Sequence, residues 1–155
     1  MLVRGGRPED FDIDTDPILL AVELKEAGDF VGADQKLNSL LIADLRCLDG
    51  HTHLGNLDFD RRPEKAIHYD IGRQIGELSL GPDFQGVLRS GRIDNRPYLR
   101  CLHGYGLCLW RLKRFDEAAG VFARMLWMSP SDNQGARFNL AEVRDGREWR
   151  DQDEK

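Results

Sequence analysis

The side chains with the widest chemical scope stand together at Asp49-Gly50-His51-Thr52-His53. Carboxylate and imidazole spaced D-x-H-x-H can share one metal ion when both rings leave a strand end on the same side. In this chain the stretch opens a predicted helix, and residues two apart on a helix do not face the same way. His68 and His103 are the remaining imidazoles. Cys101 and Cys108 lie seven apart on one predicted helix, about 10 Å along its axis, too far to bridge within it; Cys47 lies elsewhere. Buried packing is the expected role of all three thiols. His103-Gly104-Tyr105-Gly106 contains G-x-G, but no strand precedes it and no third glycine follows in register, so a phosphate-cradling loop is not expected.

The chain that must position these groups has 155 residues, 22 Lys+Arg against 27 Asp+Glu, a net charge of −5, 41% apolar and 32% charged residues. These values describe a single soluble globular domain. A nucleic-acid partner is not expected, since such domains carry a basic excess. The longest apolar runs, Ile18–Val22 and Leu40–Ala43, are far short of a membrane span. The opening MLVRGGRPEDFDID has no apolar core of a signal peptide. With three cysteines and no C-x-x-C, a cytoplasmic location is expected. Residues 1–16 carry net −3 and residues 142–155 net −2, both poor in apolar side chains. The division expected is an acidic flexible segment over 1–16, a helical domain over 17–144 and a charged tail over 145–155.

Helix signals fill the middle. Asp16-Pro17 opens the first helix and Gly28 stops it. A second run carries Ala33, Leu37, Leu40 and Leu41 to Asp44. Leu48–Phe59 and Pro63–Leu80 make a second pair; Tyr98–Leu112 and Phe115–Met128 make a third. After Pro130, Ser131-x-x-Gln134 reads as a capping box for a seventh helix reaching about Arg144. No stretch has the sustained alternation of a strand.

Aligned on Ala33, Ala66 and Ala118, the pairs recur after 33 and then 52 residues, the longer interval containing an 18-residue loop over 81–98. A helix–turn–helix period of 33–34 is the tetratricopeptide spacing. The third unit, with Gly106, Ala118, Phe122 and Pro130 at the repeat's key positions, resembles that family, as does the first with Leu20, Leu24, Gly28, Phe30, Ala33, Leu37 and Leu40. The middle unit keeps Leu54-Gly55 but places Asp70 where an aromatic is usual. The run SPSDNQGARF (129–138) resembles a segment of other tetratricopeptide-like proteins. The resemblance implies an all-α, tetratricopeptide-like α-solenoid of three helix pairs plus a C-terminal capping helix, with a loop insertion at 81–98.

Such solenoids bind through the concave face built from the first helix of each pair. Repeat position places Ile18, Leu19 and Val22 there from unit one; Thr52, His53, Asn56 and Phe59 from unit two; and Arg100, His103, Leu107, Trp110 and Arg111 from unit three. The seventh helix adds Gln134, Arg137, Phe138 and Arg144. The groove is therefore expected to be apolar at one end and basic at the other, with His53, Asn56, Arg100, His103, Arg111 and Arg137 as partner contacts. Chaperone-tail-binding members of the family clamp a carboxylate with five polar residues. Asn56 and Arg100 fall on two of those positions, and Thr52, Gly104 and Phe138 on the others.

The function implied is a non-catalytic protein–protein interaction module without a cofactor, binding a protein or peptide with an acidic segment. Two alternatives belong to other classes. The D-x-H-x-H stretch resembles the metal motif of amidohydrolases and suggests a small metal-dependent hydrolase using His51 and His53, although the chain is shorter than the barrel of about 250 residues that houses it. A structural subunit self-associating through uncapped apolar ends is the other. Two further features are open. Phe84, Val87, Leu88 and Ile93 can fold loop 81–98 down as a strut or arm it as a gripping element. Trp149 either folds back on the last helix or anchors a partner.

Overall fold

Punctuation residues set the helices. Asp16 accepts from the Ile18 amide at 2.9 Å, Pro17 begins α1 (Pro17–Glu26), and Gly28 at φ 84° ends it. Asp29 caps α2 (Phe30–Ala43) through the Gly32 amide at 2.8 Å. There follow α3 (Leu48–Phe59), α4 (Ile67–Leu80), α5 (Arg96–Arg111), α6 (Phe115–Met128) and α7 (Ala136–Arg144). The computed structural model describes residues 16–59, 61, 67–88 and 95–151. Every described element is a helix, and none of them is long and apolar enough to cross a membrane. Pro63, Ala66, Ile93, Asp94 and the acidic segment before Asp16 lie outside the described residues.

Each helix packs on the next, and α3 also packs on α1 and on α5, as α5 does on α7. The odd-numbered helices thus adjoin one another in a row. The apolar core comes in two main pieces. Ile18, Ala21, Ala33, Leu37, Leu41, Leu54 and Leu57 hold α1–α3 together. Leu99, Leu102, Leu109, Phe122, Met125, Met128, Leu140 and Val143 hold α5–α7. Between them sits a small cluster of Tyr69 and Cys108, flanked by Phe59 and Tyr105.

The contacts depend on small residues. Ala33 and Ala118 are wholly buried. A Cβ at Gly106 would lie 2.7 Å from the Phe122 ring, so α5 and α6 meet there backbone to ring. Tyr69 resolves the misfit expected of Asp70. The aromatic is supplied one residue earlier, wedged between Gly55 of α3 and Gly104 of α5, while Asp70 turns outward to Arg73 at 2.6 Å.

Two expectations about α7 and the loop need correcting. The helix opens at Ala136 rather than from a Ser131–Gln134 box. Asp132, at φ 48°, accepts from the Ala136 amide at 2.6 Å and the Arg137 amide at 3.1 Å, and Gly135 makes the left-handed step into the helix. The 81–98 segment is shorter than expected because α5 already starts at Arg96. Its described part works as a strut: Leu88 is buried in the α5–α7 core, and its amide donates at 2.6 Å to the carbonyl of Met128, one of the acceptors the end of α6 leaves open.

Candidate partner-binding surface

The stripe Arg100, His103, Leu107 and Arg111 runs along α5, spaced by three or four residues, and so occupies one side of that helix. Its neighbours lie on both flanks. Arg100 Nη1 stands 3.4 Å from Asp49 of α3 with its side chain about half exposed. His103 Nε2 donates to Asn139 Oδ1 of α7 at 2.9 Å, and burial lowers the imidazole pKa more than this bond raises it. The Arg111 guanidinium lies 5.2 Å from the centre of the Phe59 ring.

A cleft of about 260 Å³ opens beside the first turn of α5, lined by Arg96, Leu99, Arg100, Met125 and the loop residues Ser129, Asp132, Asn133 and Gln134. The SPSDNQGARF run divides by role here. Pro130 follows the end of α6, Asp132 and Gly135 start α7, and Arg137 locks the cap with Nε 2.8 Å from Asp132 Oδ2. These bonds hold the Asp132 carboxyl below its usual range against the opposing effect of desolvation. Asn133 and Gln134 line the cleft.

The six residues expected to contact a partner are therefore not equivalent. Arg100 lines the cleft. His103 bridges α5 to α7, Arg137 serves the cap with its side chain still more than half exposed, and Arg111 reaches the tail, 3.7 Å from Asp151. Asn56 accepts a short hydrogen bond from the Tyr69 hydroxyl, and His53 is half-buried on α3. Of the other three clamp-equivalent positions two are spent on packing: Thr52 is buried with its hydroxyl on the Leu48 carbonyl at 3.1 Å, and Gly104 presses on Tyr69. Phe138 is an exposed apolar ring with no charge for a carboxylate.

Sequence reading did not anticipate the course of residues 145–151. Arg147 holds to the end of α7 through Glu142, and the segment then returns to α3 and α5. Trp149 meets Phe59 edge-on at 5.4 Å and Trp110 edge-on at 5.1 Å between ring centres. Trp110 Nε1 donates to the Arg147 carbonyl at 2.7 Å, and Lys113 pairs with Glu148 at 2.8 Å. Apolar area buried by the indole, with two aromatic edges, offsets the polarity of its neighbours in the chain.

The Asp49–His53 stretch opens its helix as expected. His51 is 1% exposed, and its Nε2 donates to the Leu45 carbonyl at 2.9 Å, so that nitrogen carries the proton. Desolvation lowers the pKa of His51 and of His68, whose ring centre lies 5.9 Å away. Among the described residues no three His, Cys, Asp or Glu side chains gather closely enough to hold a metal ion. The three cysteines are buried thiols outside any disulfide. Burial pushes the Cys101 and Cys108 thiols up to about 12 each, far from the range of a nucleophile at neutral pH. The chain matches no family model, and comparison with curated proteins and with solved structures gives no match.

Proposed function

We propose that the chain is a tetratricopeptide-like helical stack acting as a non-catalytic interaction module, which receives an acidic peptide segment at the Arg100 end of α5. The observation that carries this reading is the position of α5, bracketed by α3 and α7, with Arg96 and Arg100 one turn apart over a cleft floored by Leu99 and Met125. Two guanidinium groups on one helix face offer forked donors to a carboxylate, while the apolar floor takes an adjoining aliphatic side chain. The repeat reading draws support from the helix pairing, the buried Ala33 and Ala118, and the seat of Phe122 on Gly106.

A displayed random-peptide library panned on the intact chain tests it. Enriched peptides should carry clustered carboxylates, and Arg100→Glu should weaken them at least tenfold. Arg46→Glu, at a position 84% exposed on the loop before α3, should leave them bound. Peptides that survive Arg100→Glu, or a library with no acidic enrichment, would overturn the proposal.

A further inference from the structure

The segment 147–151 has the features of a bound ligand more than those of a structural strand. Its first residue closes the end of α7, the Arg147 amide donating to the Glu142 carbonyl at 3.0 Å. Beyond it the segment makes no helix and rests on α3 and α5 through one indole and a few polar contacts. The receiving surface is built for an aromatic. Phe59 and Trp110 present edges or faces at 80° and 85° to the indole, and the Arg111 guanidinium lies over Phe59. Cations flank it: Lys113 meets Glu148, and Arg111 meets Asp151. Both pairs have exposed members, so each holds weakly.

We propose that the Phe59–Trp110–Arg111 surface is a second peptide-binding site, for a segment carrying an aromatic residue between acidic ones, and that Glu148-Trp149-Arg150-Asp151 occupies it as a tethered competitor. The occupant displacing the tail is a partner segment of the same chemistry, an acidic–aromatic–x–acidic stretch. Charge complementarity argues for it: the site offers Lys113 and Arg111 on either side of the aromatic slot, and the chain's own tail already satisfies that pattern. This inference rests on the reading of the chain as an interaction module, yet it uses the opposite end of α5 from Arg100. A short tether places the tail at an effective concentration in the millimolar range, so an incoming segment must bind well or the tail must be loosened first.

The experiment uses the full chain and a fluorescein-labelled peptide of residues 145–151, read by fluorescence anisotropy. Trp149→Ala should bind the peptide at least tenfold more tightly than wild type, because the wild-type site is already filled. A peptide with Ala in place of the Trp should not bind. The double variant Glu148→Gln/Asp151→Asn keeps the indole and removes both ion pairs; it should fall between the two, and it serves where Trp149→Ala fails to fold. Arg100→Glu in the Trp149→Ala background should leave the peptide bound, whereas Trp110→Leu in that background should abolish binding. Equal affinity for wild type and the tail variants, or no binding by a folded tail variant, would overturn the proposal. So would a dimer of wild type in sedimentation, which would mean that the tail fills a second copy instead. Loss of the acidic library peptides on Arg100→Glu together with failure here leaves the module standing without this site. Peptide binding here with no acidic enrichment in the library removes the Arg100 cleft instead.

Discussion

Gly104→Ala probes the seam between the two halves of the core. A Cβ at Gly104 collides with the Tyr69 ring, and one at Gly55 would reach the same ring at 2.6 Å. Tyr69 is 4% exposed and held on both sides, so it has nowhere to move without parting α3 from α5. Overpacking of this kind costs about 1–3 kcal/mol. Alanine also gains about 1 kcal/mol over glycine in a helix interior, which masks part of the cost. Gly120→Ala in α6 removes the ambiguity. It too is inside a helix, but nothing lies within 4 Å of its would-be Cβ, so only the propensity gain remains. The propensity contributions cancel in the comparison, and the two variants should differ by about 1–3 kcal/mol, with Gly120→Ala the more stable. Urea denaturation followed by far-ultraviolet circular dichroism measures both, with equal m-values as the condition for comparing midpoints. In a Tyr69→Leu background the Gly104→Ala cost should shrink, since the colliding ring carbons are gone. Equal stabilisation by the two alanines would refute the placement of Tyr69 between α3 and α5.

Stability should fall on acidification through the histidines. His51, His68 and His103 all have folded pKa values below the ordinary 6.5, so the unfolded chain binds more protons below about that pH. Their contribution is complete above 6.5 and is lost as the pH drops towards each folded value, with buried His51 alone contributing a slope of up to about 1.4 kcal/mol per pH unit; urea midpoints at pH 7.5 and 5.5 that coincide would contradict this. Asp132→Ala removes the acceptor for two α7 amides and should cost about 1–2 kcal/mol. Hydrogen exchange should then quicken in α7 first and leave α1–α3 protected. Cys101 and Cys108 should resist iodoacetamide at pH 8 in the folded protein and react promptly in urea, which peptide mass mapping resolves; rapid native labelling would mean that their burial is wrong.

Where both ends of an element carry a local signal, the sequence is enough. Phe115–Met128 is bounded by Lys113 at φ 62° and by Pro130, and α6 runs over those residues. The start of α7 departs from its sequence pattern for a local reason as well. Ser131-x-x-Gln134 satisfies a capping pattern, but Asp132 takes the left-handed conformation and delivers its carboxylate to amides four and five residues ahead. Tyr69 shows a register effect: an aromatic one place off the repeat position still fills the gap because Gly55 and Gly104 open it. At the surface, spacing identified Arg100 and Arg111 on one face of α5. It could not reveal that Asn56 is held by Tyr69, His103 by Asn139 and Arg137 by Asp132, since each depends on how helices or loops meet. Trp149 was least legible. Its partners stand 39 and 90 residues upstream, beyond any periodic pattern.

The docked indole also gives the chain a schedule. Trp110 is made 39 residues before Trp149, an interval of roughly 2–8 s at ordinary rates of synthesis. Until Trp149 arrives, Phe59 and Trp110 lack the residue that covers them. On the proposed competition, a partner met before the tail docks finds the bare aromatic slot, and one met afterwards must evict the tail. On that proposal association before docking is quicker than after it, a memory of timing stored in one side chain.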